Sequence, residues 1–64
     1  MSEQALKHVA KEFDKLRADQ IIFLSGGGAK DFAEYRHVCG VIRGLTHAEQ
    51  LVKDLVQKME YSDE

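Results

Sequence analysis

Sixty-four residues make one domain at most, and a chain of this length buries only ~60% of the surface its unfolded form exposes. Nine basic and eleven acidic residues are interspersed for a net charge of −2, without the concentrated positive face that nucleic-acid binding needs. No apolar run approaches the ~20 residues of a membrane span, so neither nucleic acid nor a membrane is expected as a partner.

So small a domain usually needs a staple: a disulfide, a metal or a second chain. Cys39 is the only cysteine, so no internal disulfide can form. One unpaired thiol fits a reducing compartment. The first ten residues, MSEQALKHVA, lack the apolar core of a signal peptide, and the expected location is the cytoplasm at synthesis. Proline is absent, while Ala, Leu, Glu, Lys, Gln and Arg are common. These residues favour helix throughout, the Gly26–Gly28 run excepted.

Ser2 is the expected N-cap of helix 1, with Glu3 favourably placed in its first turn. Leu6, Val9, Phe13 and Leu16 follow a three-four-three spacing, which makes one apolar stripe. The rhythm continues through Gln20 to Phe23, with one polar interruption. Lys7, Lys11 and Lys15 form a row on another face. They are expected in solvent, with Glu3–Lys7 and Lys15–Asp19 as i,i+4 pairs. The apolar run Ile21-Ile22-Phe23-Leu24 has the length of a buried strand or a helical turn. No second strand exists to satisfy its backbone, so it is placed on the end of helix 1.

Ser25-Gly26-Gly27-Gly28 closes helix 1, since glycine takes the left-handed conformation at little cost. Asp31 and Glu34 match a capping box, aspartate standing in for serine or threonine. Helix 2 then runs for roughly 30 residues, ~45 Å at 1.5 Å per residue. Its apolar positions cover an arc of about 180°, wider than one antiparallel neighbour covers. Val41, Ala48, Val52 and Met59 are expected at the centre of that arc. Ala33, Gly44, Leu51 and Leu55 lie on one flank, and Tyr35, Val38, Ile42, Leu45 and Val56 on the other. Gly40 and Gly44 share one face, each at ~1 kcal/mol of lost helix propensity relative to alanine. Close approach of another helix would repay that cost. The competing reading breaks the helix at Gly44, with Thr46 and Glu49 capping a new one. The polar tail Tyr61–Glu64 is expected to fray.

No motif assembles a catalytic or metal centre. IIFLSGGGAKDFAEYRHV resembles the oxyanion loop of patatin-like phospholipases through Gly26, Gly27, Gly28 and Lys30. Asp31 replaces that loop's last glycine, and the chain has no Gly-x-Ser-x-Gly elbow. A phosphate cradle at the start of helix 2 would meet repulsion from Asp31. Glu34 and His37 have the i,i+3 spacing of di-iron bundles, but those bundles need the motif twice and two further carboxylates. Cys39 and His37 are two residues apart and point to well-separated faces of a helix. Cys39 has no base at nucleophile spacing and reads as a packing or surface residue. The expectation is a non-enzyme with no cofactor and no metal.

The run D-F-x-x-Y-x4-G-x-I-x-G-L-x-x-A is carried by Asp31, Phe32, Tyr35, Gly40, Ile42, Gly44, Leu45 and Ala48. Through it, the second half of the chain resembles a group of short helical proteins encoded by tailed bacteriophages. That resemblance implies a phage gene product, in the host cytoplasm or the virion, and carries over no catalytic role.

The fold expected is all-α: a single domain over 1–64, built as an antiparallel helical hairpin. Helix 1 covers about 3–24, the glycine turn 25–29, and helix 2 about 30–60. The leading expectation is a structural or assembly protein of the virion or its connector, either homo-oligomeric or docked on a larger phage structural protein. The contact surface expected combines Gly40, Gly44, Tyr35, Val41 and Ala48 with the stripe Leu51, Val52, Leu55 and Met59. The alternative is a small helical regulator or inhibitor that binds a phage or host protein.

Overall fold

A computed structural model describes residues 2–62. It contains two helices, α1 (Glu3–Ser25) and α2 (Phe32–Ser62), packed along each other as a hairpin. The rod is 51 Å long and 15 Å across in each other direction.

Local chemistry sets both ends of the connection. Ser2 caps α1, its Oγ accepting from the Ala5 N–H at 3.1 Å. At the other end Gly27 takes φ +79. The Gly27 N–H donates to the Leu24 carbonyl and the Gly28 N–H to the Phe23 carbonyl, the paired bonds of a Schellman close. A Cβ on Gly28 would sit 2.5 Å from the Phe23 ring, so the third glycine is needed for close approach. Asp31 caps α2, with Oδ1 accepting from the Glu34 N–H at 2.8 Å. The returning bond from Glu34 reaches the Lys30 N–H, at 3.3 Å, one residue before the position of the usual box.

Helix α2 is unbroken through Gly40 and Gly44. The Thr46 hydroxyl donates back to the Ile42 carbonyl at 2.9 Å, instead of capping a new helix. Of the two i,i+4 pairs expected on α1, Glu3–Lys7 forms, at 3.2 Å. Tyr61 and Ser62 are still helical, and the rest of the expected frayed tail, Asp63 and Glu64, lies outside the described residues.

The seam between the helices departs from the stripe that spacing alone suggests. On α1 the inward positions are Leu6, Ala10, Phe13, Arg17, Gln20 and Leu24, all buried or half-buried. Leu16 and Phe23, expected in the core, are 51% and 41% exposed. On α2 the inward positions are Val38, Ile42, Leu45, Glu49, Val52, Val56 and Met59. Both sets step by alternating fours and threes, the 3.5-residue repeat of supercoiled helices. Val9, Leu16 and Phe23 also repeat every seven residues, but one position away, on the shoulder of α1. The α2 seam is therefore centred on the expected flank of Val38, Leu45 and Val56, not on Val41 and Ala48. This core is thin: its buried apolar residues are Leu6, Ala10, Val38 and Val56.

Candidate interaction face

Two kinds of side chain stand out against this thin core: a charged pair inside it and an apolar group outside it. Glu49 occupies a core position of α2 with 7% of its side chain exposed. Arg17 reaches it across the seam at 2.5 Å, and the same guanidinium meets Asp14 on its own helix. Lys53 approaches the second Glu49 oxygen at 3.4 Å. Burial by itself would raise the Glu49 pKa. The hydrogen bonds from Arg17 and Lys53 outweigh it and hold the carboxyl below its ordinary value. No buried side-chain polar atom among the described residues is left without a partner. The arrangement is a structural lock between helices, with every charge committed.

The apolar group lies on one broad side of the hairpin. At 100° per residue, Val41, Gly44, Ala48, Leu51 and Leu55 form a second four-three series on α2, beside the first and turned away from it. Leu51 is 71% exposed and Leu55 47%. The α1 shoulder of Val9, Leu16 and Phe23 falls on the same side. A recess lined by Asp19, Gln20, Phe23, Glu34, His37 and Val38 opens there, where the two helices meet. The opposite side carries a charged groove, where Lys7, Lys11, Asp14, Glu49 and Lys53 surround Ala10 and Val56, and nearer the turn it exposes Phe32 and Tyr35.

Gly40 and Gly44 sit on the outer shoulder of the apolar side, both exposed. A Cβ at either would meet nothing within 4 Å. Helix α1 therefore does not need these glycines, and their cost of ~1 kcal/mol each has no return within one chain. The contact surface expected from sequence divides in the folded chain. Gly40, Gly44, Leu51 and Leu55 point outward, with Val41 and Ala48 half-buried beside them, while Val52 and Met59 face α1. Tyr35 belongs to the other side, its ring stacked on Phe32 at 6.2 Å. Hydrogen bonding to Cys39, and the charge that thiol would carry, push the Tyr35 phenol above its ordinary pKa.

Spacing on α1 concealed two members of the face, Leu16 and Phe23, because their period matches a core stripe. Glu49 was missed as a core residue because its partner lies 32 positions away. Among the described residues no three His, Cys, Asp or Glu side chains converge as metal ligands. No helix among the described residues is long and apolar enough to cross a membrane. Compared with protein-family models, curated proteins and solved structures, the chain matches none.

Proposed function

We propose that this chain is a non-enzymatic assembly protein of a tailed phage, packing by helix faces in the virion or its connector. The observation that carries the reading is the apolar side of the hairpin. Leu16, Phe23, Leu51 and Leu55 stand exposed together there, on a molecule too thin to enclose them. Fully burying such a side chain from full exposure is worth ~1.5–3 kcal/mol, so covering these part-exposed ones contributes a fraction of that each. The phage-like run from Asp31 to Ala48 overlaps this face at Gly40, Gly44 and Ala48. That overlap ties the resemblance to the surface that needs a partner.

The test is the protein content of purified particles. Detection at fixed stoichiometry with portal, adaptor or capsid proteins is the expected result. Absence from particles, combined with retention by one phage or host enzyme, would instead establish the regulator reading.

A further inference from the structure

We infer that a second copy of this chain covers the apolar side, giving a four-helix bundle of two hairpins. The inference rests on the interaction-face reading above and names its first occupant.

Three observations carry it. The first is area. The accessible surface is 5007 Å², whereas a compact monomer of 7.3 kDa exposes about 4,200 Å² by the usual mass scaling. The excess of roughly 800 Å² equals what one partner buries in a standard interface. That excess is spread along the whole 51 Å rod; the outward series from Val41 to Leu55, and the shoulder from Val9 to Phe23 beside it, cover about 21 Å of its length at 1.5 Å per residue.

The second observation is shape. Near the glycine turn, α1 presents the large residues Leu16 and Phe23, and the neighbouring part of α2 presents Gly40, Gly44 and Ala48. Near the open end the sizes reverse. There α2 presents Leu51 and Leu55, and α1 presents Ala5 and Val9. Ridges and furrows thus run along crossing diagonals. A two-fold axis parallel to the helices lays α1 of one copy over α2 of the other at the same height. Leu16 and Phe23 then enter the furrow of the partner's Gly40 and the partner's Gly44, and the reverse contact forms by symmetry. This is the return on two glycines that α1 leaves in open space.

The third is charge, which selects that axis. A two-fold perpendicular to the helices would lay α1 on α1, bringing Glu12 and Asp19 of both copies onto one seam. The outward series of α2 from Val41 to Leu55 contains no acidic residue. Laying α1 on α2 therefore avoids carboxylates meeting carboxylates.

Sedimentation equilibrium of the full chain across a dilution series tests the inference. The expected mass is twice 7.3 kDa. Gly44→Leu is expected to weaken the dimer at least about tenfold while the chain stays helical, because a Cβ there meets nothing within 4 Å in the monomer and leucine favours helix over glycine. Adding Leu16→Ala should recover part of the loss, since a smaller ridge then faces the filled furrow. The control Lys53→Gln, in the charged groove, should leave the mass unchanged. A 7.3 kDa species at every concentration overturns self-pairing, and a dimer indifferent to Gly44→Leu overturns its placement on the apolar side. Neither result touches presence in particles, so the two readings fail separately.

Discussion

Glu49 sits inside an apolar seam because Arg17 reaches it from the other helix. A charged carboxylate there costs free energy unless it is paired and hydrogen-bonded, and its lowered pKa records that pairing. The sign of the pH dependence follows. The stabilisation is fully present above the ordinary glutamate value of 4.5, and is lost as pH falls through the lower folded value. Acid titration of helicity should show wild type weakening below that point, and Glu49→Gln, already without the charge, losing this component. Equal acid sensitivity in both would remove Glu49 from the lock. Leu6, at 7% exposure, is one of the few enclosed side chains. Leu6→Ala should cost about 2 kcal/mol, the low end for leucine truncation, since the site lies near the open end of the rod. Urea unfolding gives the figure directly.

The helices and their connection depend on near neighbours. Gly27 at φ +79 should resist alanine, with a loss of about 1–2 kcal/mol from left-handed strain. Asp31→Ala should cost about 1 kcal/mol by freeing the Glu34 N–H from its cap. Both values come from thermal melts, and a neutral Gly27→Ala would mean that the Schellman close is not maintained in solution. These features are legible in the sequence because their partners are three to five residues apart: Ser2 with Ala5, Phe23 with Gly28, Asp31 with Glu34. The long unbroken α2 is less legible. Gly40 and Gly44 read equally as a break or as a docking site, and only the continuous backbone, with Thr46 bonded to Ile42, separates the two.

The whole molecule is a rod with two unlike sides. One holds the charged groove, with the Arg17–Glu49 pair at its edge and the stacked rings of Phe32 and Tyr35 nearer the turn. The other is apolar and open. If the second side is covered by another copy, folding and association are linked, and the melting temperature should rise with protein concentration. A melting temperature independent of concentration, with full helicity, would show that the single hairpin holds itself together.

The sequence by itself determined that there are two helices, where their caps fall, that glycines join them, and that α2 has an apolar arc too wide for α1. Each of these rests on short-range bonding or on composition, which the chain carries wherever it lies. Only the tertiary structure decided which part of that arc faces α1. Two four-three series on α2 are both compatible with a seam, and spacing weights them alike. The choice falls on the series with more apolar bulk to bury, Val38, Ile42, Leu45, Val52, Val56 and Met59 against Gly44 and Ala48, and Arg17 opposite Glu49 makes the one carboxylate in it tolerable. That choice leaves Gly44, Leu51 and Leu55, together with Leu16 and Phe23, on the outside. A pairing between residues 32 apart exists only once the chain has folded back on itself.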